Sequence, residues 1–190
     1  LVLLVTLFSC KSEIEKEEMP LKAKNVILLI GDGTGLSQIS SAFYFKKTNP
    51  NYARFKSIGL IKTSSSREDI TDSAAGATAF ASGIKTYNGA VGIADDSTKV
   101  KNLVEMVSLQ NIKTGVISTS SIQHATPASF YAHVINRARY EDIAADMVIS
   151  DIDFFAGGGT KFFNKRSDGK KNNKNDYDKL WKCNNYIIKE

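Results

Sequence analysis

Thr71-Asp72-Ser73-Ala74-Ala75-Gly76-Ala77-Thr78-Ala79 runs on through Ser82-Gly83 to Lys85-Thr86-Tyr87-Asn88-Gly89. A carboxylate and a hydroxyl stand side by side, and a run of very small side chains follows. Small residues let a backbone press close to its neighbours, and a hydroxyl at the start of a helix is free to act as a nucleophile. The same run also reads as an Ala-rich core helix with an Asp/Ser cap, stopped by Gly83. Both readings put a helix over Ser73–Ser82.

The flanking sequence alternates between strand and helix signals. Upstream, Asn25-Val26-Ile27-Leu28-Leu29-Ile30 is a continuous apolar run of the kind buried on both faces of a parallel sheet. It breaks at Gly31-Asp32-Gly33-Thr34-Gly35, and the spacing of Leu36, Ile39 and Phe43 predicts a helix to Phe45. Ile58-Gly59-Leu60-Ile61 reads as a short strand, followed by a polar, turn-rich segment from Thr63 to Asp69. Downstream, Val100, Leu103, Val104 and Val107 repeat with helical period until Asn111. Lys113 to Ser118 is the next expected strand, with Thr119 to Thr126 as its exit loop. Tyr140 to Ser150 reads as a helix, and Asp153-Phe154-Phe155-Ala156 as a strand stopped by Gly157-Gly158-Gly159. This order predicts an α/β domain with a largely parallel sheet.

A chain of 190 residues accommodates one sizeable domain rather than two. The net charge of +5 favours anions, but Lys165, Arg166, Lys170, Lys171 and Lys174 supply much of it from the Lys161 to Lys182 stretch. No aromatic residues interleave between Lys165 and Lys174 as stacking platforms, so a solvated basic loop is expected and no nucleic acid partner. At the other end, Leu1 to Phe8 is apolar, too short to span a bilayer, and ends in Ser9-Cys10 before a charged tract. Leu7-Phe8-Ser9-Cys10 resembles a bacterial lipobox, with Phe8 an untidy fit. Residues 1–20 are therefore expected to be a partial lipoprotein signal peptide and tether. Lipid on Cys10 would anchor the protein to a membrane in the cell envelope or periplasm, and would leave Cys183 without a disulfide partner.

In open α/β sheets, ligands collect beyond the carboxyl ends of the strands. Asp32 sits there between two glycines, in a loop that lacks both the G-x-G-x-x-G spacing and the Lys-Ser/Thr of a P-loop. The flanking glycines clear space for the acid to meet a hard cation; a capped turn explains the pentapeptide equally well. Gln123-His124-Ala125-Thr126-Pro127 follows the strand ending at Ser118, so His124 and Thr126 either position a metal or make turn hydrogen bonds. Arg137, in Asn136-Arg137-Ala138-Arg139-Tyr140, is suited to bidentate phosphate recognition, although most lone arginines are simply solvated.

Together these pieces resemble the alkaline phosphatase family over about residues 24 to 160. Asn25–Gly35 is similar to the family's first strand and metal-binding Gly-Asp-Gly turn. Thr71–Gly92 is similar to its nucleophile signature, and Ser118–Tyr140 to its third block, in order and spacing. The resemblance implies a three-layer α/β/α fold, incomplete at the C-terminus, with residues 21–190 as the N-terminal part of the catalytic domain. It implies two Zn2+ and one Mg2+, hydrolysis of phosphate monoesters through a phosphoserine on Ser73, and a homodimer in the full-length parent. Asp32 would ligate a zinc and reach the magnesium, and Ser73 would sit on that zinc. Asp72 would hold Arg137, whose guanidinium would clamp the phosphate. Thr126 would contribute to the magnesium site. His124 stands where some members carry Asp, and would tune the third metal. His133 would be structural.

The family draws further His, Asp and Glu ligands from the second half of a longer chain, whereas both histidines here, His124 and His133, match its first half. The expectation is an N-terminal fragment that is inactive alone. Two other readings stand beside it: a non-catalytic anion-binding lipoprotein module, and a phosphodiesterase- or sulfatase-type member of the superfamily. Asp72-Ser73-Ala74 with Arg137 argues for monoesters.

Overall fold

The Ala-rich run forms a helix, α2 (Ser73–Ser82), with Asp72 as its N-cap and Gly83 in the left-handed region as its C-cap. Ala74, Ala75, Ala77, Thr78 and Ala81 of α2 are buried. In the computed structural model, residues 23–164 and 187–188 are described. The expected signal peptide and tether, Cys10, Cys183 and most of the basic stretch lie outside the described residues. The beginning of that stretch is not a loop but a short helix, α6 (Lys161–Asn164).

The helices predicted from apolar spacing form close to where the periodicity puts them: α1 (Leu36–Phe45), α3 (Leu103–Ser108) and α5 (Tyr140–Ile149). Asn102 caps α3 through a reciprocal pair, accepting from Glu105 N at 3.0 Å while Glu105 Oε2 accepts from Asn102 N at 2.8 Å. Asn111 adopts a positive φ of 56° and ends the turn after α3.

Three parallel strands form one sheet in the order β1 (Gly115–Ser121), β2 (Phe154–Gly158), β3 (Ile187–Ile188). β1 runs three residues past Ser118, so the expected exit loop is part strand. After a turn, that loop then becomes a short helix, α4 (Ala125–Ala128). β2 likewise continues through Gly157 and Gly158 rather than stopping at them. A Cβ on Gly157 would stand 3.2 Å from both Ile122 Cβ and Ser120 O, so glycine there permits close strand packing.

Two expected strands are not present. The chain divides into one unit ending at Gly31 and another beginning at Asp32. Within the first unit, residues 25–30 have no strand pairing, and Val26 is 85% exposed. In the second unit, residues 58–61 are also unpaired, with Leu60 fully exposed. Apolar β-prone runs become strands only when a neighbour supplies the ladder, and no described strand does so here.

The core lies where α2, α4 and α5 meet the segment around residues 91 and 134. It contains Ala74, Val91, Ile122, Ala128, Tyr131, Val134, Ile143, Met147 and Phe155. Val91 and Val134 form an antiparallel bridge. Gly92, at φ 61°, lies so close to Ala132 O that a side chain would collide with that carbonyl.

A polar thread crosses this core. Thr78 Oγ1 donates to Ala90 O at 3.2 Å and accepts from Gly92 N at 3.0 Å, and Ser129 Oγ lies 3.3 Å away. Thr78→Val keeps the shape but orphans buried backbone groups. It should destabilise the chain by about 1–3 kcal/mol in urea unfolding.

At the start of the parallel pair, Lys113 Nζ donates to Asp153 Oδ1 at 2.6 Å and Thr114 N to Asp153 Oδ2 at 2.9 Å. The Lys113 hydrogen bond, then the Thr114 amide, hold the Asp153 carboxyl below its ordinary value. A depressed carboxyl pKa stabilises the fold above the unfolded value, and the benefit is lost as pH falls through the folded one. Asp153→Asn should therefore lower the urea midpoint at neutral pH, and the gap from wild type should close as pH falls below the ordinary carboxylate range.

Candidate active site

Ser73 opens α2, so its Oγ stands at the helix's positive end. Ser73 Oγ donates to Asp32 Oδ1 at 3.1 Å. The other carboxylate oxygen, Asp32 Oδ2, accepts from Thr126 Oγ1 at 2.8 Å. One carboxylate thus joins two hydroxyls that lie 41 and 94 residues away in the chain. Asp32 itself is exposed, as an acid meant for an external partner must be.

Beside this trio stands a second cluster, linked through the Asp72-Ser73 peptide. Asp72 Oδ1 accepts from Ala75 N at 2.9 Å, which is the N-cap bond of α2. Asp72 Oδ2 accepts from Gly89 N and from Arg137 Nη1, both at 3.1 Å. Arg137 N also donates to Gly89 O at 2.7 Å, so main chain and side chain of the arginine are both moored to this corner. The Arg137 and Asp72 side chains are about a quarter to a third exposed, which leaves the guanidinium reachable from solvent.

Of the other residues singled out from sequence, Thr126 sits in α4 and His124 precedes it as the N-cap residue. The His124 ring centroid lies 6.1 Å from that of Tyr140, which stacks on Phe162 at 4.7 Å. His133 is not part of the site. Its Nδ1 faces Gly92 O and its Nε2 faces Glu105 Oε1 at 3.0 Å, while its backbone N–H donates to Asp146 Oδ2 at 2.8 Å.

Asn88 and Glu68 received no role from sequence. Asn88 Oδ1 accepts from Asp72 N at 2.9 Å, and Asn88 Nδ2 donates to Glu68 Oε2 at 2.8 Å and Ile70 O at 2.9 Å. The Asn-Gly dipeptide at 88–89 was the available signal, because that pair marks turns, and Gly89 has φ 91°.

The donor set at Asp32 is carboxylate plus hydroxyl, which fits a hard, oxygen-seeking cation such as Mg2+. A closed zinc site takes about four ligands, with His and carboxylate predominating where Cys is absent. Among the described residues no group of three or more His, Cys, Asp or Glu comes together. The residues present therefore fit part of a metal site.

The Alk_phosphatase family model, described as alkaline phosphatase, matches residues 23–188. The chain is 36% identical to alkaline phosphatase 4 of Bacillus subtilis over 166 residues, covering 80% of this chain and 36% of that one. It is 40% identical to alkaline phosphatase of Escherichia coli over 128 residues, 62% of this chain and 27% of that one. Among solved structures, the alkaline phosphatase of the Antarctic bacterium TAB5 matches with TM-score 0.75 and 65% identity, over 80% of this chain and 43% of that one. A His-to-Asp variant of the TAB5 enzyme, with Mg bound in its M3 site, matches with TM-score 0.72 and 70% identity, over 73% of this chain and 40% of that one. The α/β/α architecture expected from sequence is thus the chain's fold class. The chain spans about a third of the length of the curated relatives it matches.

Asp72→Ala removes the helix cap and strips both Gly89 N and Arg137 of their acceptor. It should destabilise the chain by about 1–2 kcal/mol. Asp72→Asn retains an oxygen for Ala75 N and should cost less, a ranking that urea midpoints will check.

Proposed function

Because the chain belongs to the alkaline phosphatase family, we propose that it supplies the nucleophile and phosphate-clamping half of a phosphate monoesterase. The observation that carries this reading is the shared carboxylate: Asp32 holds Ser73 Oγ and Thr126 Oγ1 together at the positive end of α2. Relatives named alkaline phosphatase support the substrate class.

In this reading Asp32, Ser73 and Thr126 hold divalent cations, two Zn2+ and one Mg2+ in the complete site, with His124 tuning the third. When bound, such ions supply Lewis-acid neutralisation of the charge that develops on oxygen, which a serine of ordinary acidity needs in order to attack. The protein's own groups do the rest. The bond to Asp32 fixes the direction of the Ser73 hydroxyl. Arg137, turned by Asp72, offers its remaining N–H donors to two phosphoryl oxygens in a bidentate grip. The Ser73 oxygen forms a bond to phosphorus as the ester P–O bond breaks and the alcohol departs. Water then attacks the same phosphorus, freeing inorganic phosphate and restoring the serine hydroxyl. The N-terminus of α2 favours the anionic group throughout.

The full-length protein is further proposed to be a homodimer held in the cell envelope or periplasm by lipid on Cys10. The lipobox-like Leu7-Phe8-Ser9-Cys10 supports the anchoring. Inactivity of residues 21–190 alone is part of the same proposal, resting on the further His, Asp and Glu ligands that the family resemblance implies from a longer chain.

Two measurements test the proposal. With Zn2+ and Mg2+ present, residues 21–190 alone should hydrolyse p-nitrophenyl phosphate negligibly. The full-length gene product should turn it over, and Ser73→Ala should lower kcat by at least about a thousandfold. Retained turnover in Ser73→Ala would dismiss Ser73 as nucleophile.

A further inference from the structure

Three separate stretches must be brought into register for this site to work: the entry to α2, the turn at residues 87–89, and the segment bearing Arg137. Asp72 carries one set of links between them. Its carboxylate takes Gly89 N and the Arg137 guanidinium, but a carboxylate accepting from several donors can still pivot about its own side-chain bonds. The backbone that carries both Asp72 and Ser73 needs a fixing of its own.

That fixing comes from Asn88. Its carboxamide makes three hydrogen bonds, all of them to the stretch leading into the nucleophile. Oδ1 accepts the Asp72 amide at 2.9 Å, and Nδ2 divides its protons between Glu68 Oε2 at 2.8 Å and Ile70 O at 2.9 Å. The next residue answers in the opposite sense, with Gly89 N donating to the Asp72 side chain at 3.1 Å. Gly89 O then accepts Arg137 N at 2.7 Å. Tyr87, on the other side of Asn88, donates its hydroxyl to Ile135 O at 3.1 Å, two residues before Arg137. The 87–89 turn therefore grips the nucleophile segment with the Asn88 side chain and Gly89 N, and the arginine segment with Gly89 O and Tyr87.

We infer that Asn88 is a positioning residue of the phosphatase: its carboxamide, braced by Glu68, sets the Asp72-Ser73 backbone against the Arg137 clamp. The inference rests on Ser73 being the nucleophile. Asn88 touches neither phosphate nor metal in this scheme. Its effect falls on the angle and distance of attack, where a displacement of about 1 Å can cost on the order of a hundredfold in rate. Arg137 keeps its own bonds to Asp72 and Gly89 without Asn88, so phosphate recognition should survive while attack is impaired.

The test uses the metal-loaded full-length gene product with p-nitrophenyl phosphate. Asn88→Ala should lower kcat by about 10- to 100-fold while KM and inhibition by inorganic phosphate stay within about threefold. Asn88→Asp keeps an oxygen for the Asp72 amide but sets a carboxylate against both Glu68 and Ile70 O, of which only the Glu68 repulsion can be relieved by a second substitution, so it should be impaired at neutral pH. Adding Glu68→Gln restores an amide donor to that contact and should recover about tenfold of the lost kcat. In the 190-residue chain, amide exchange at Asp72 should quicken in Asn88→Ala by at least about tenfold. A kcat within threefold of wild type in folded Asn88→Ala overturns the inference, and so does the absence of rescue in the double variant. If Asn88→Ala does not fold, the Asn88→Asp and Glu68→Gln pair decides. Ser73→Ala run in parallel separates the two levels: active Ser73→Ala removes Ser73 as the nucleophile, and this inference with it, whereas inactive Ser73→Ala beside fully active Asn88→Ala removes this inference alone.

Discussion

The Asp72 carboxylate accepts from the Ala75 amide, the Gly89 amide and the Arg137 guanidinium, three donors from three stretches of chain. Only a group with two oxygens and a full charge satisfies all of them, and each donor depends on it in a different way. The Ala75 bond starts α2 and so settles where Ser73 lies. The Gly89 bond closes the turn after the helix onto its beginning. The Arg137 bond ties the segment that carries the arginine to the entry of α2. A residue that looks like a helix cap in the sequence is also the joint about which the site is assembled.

A related economy appears at Asp32. Its two oxygens serve Ser73 and Thr126 separately, so the carboxylate measures the gap between the first turn of α2 and α4. Both hydroxyls belong to helices packed into the same core, through Ala74 on one side and Ala125 and Ala128 on the other. Small side chains at those positions bring the helices near enough for one carboxylate to span them.

Much of this could be read from residue order. The Asp-Ser pair followed by Ala, Gly and Thr told of a capped helix, and Gly83 marked its end. Apolar spacing placed α1, α3 and α5 because helical periodicity is a local property. The runs at 25–30 and 58–61 have strand composition, yet a strand also requires a neighbour, and composition says nothing of one. Thr126 and Arg137 could be singled out by type, and the family resemblance implied that Asp72 holds Arg137, but the hydrogen bond from Thr126 to Asp32 is a product of folding. Asn88 escaped notice because a carboxamide in an Asn-Gly turn ordinarily serves its own turn, whereas here it reaches back 16 residues to the Asp72 amide.

Thr78 binds both Ala90 O and Gly92 N from the middle of α2, and Gly92 in turn lies against the backbone at Ala132. The helix that begins at Ser73 and the segment that leads to Arg137 are consequently tied together through buried hydrogen bonds. Neither can fray as a loop would, because releasing one end of this polar thread exposes the buried groups of the other. The buried partners of Thr78 place this joint in the core rather than at the surface, where local opening is cheapest. A chain built this way can leave Asp32 open to solvent without surrendering the order of the groups behind it.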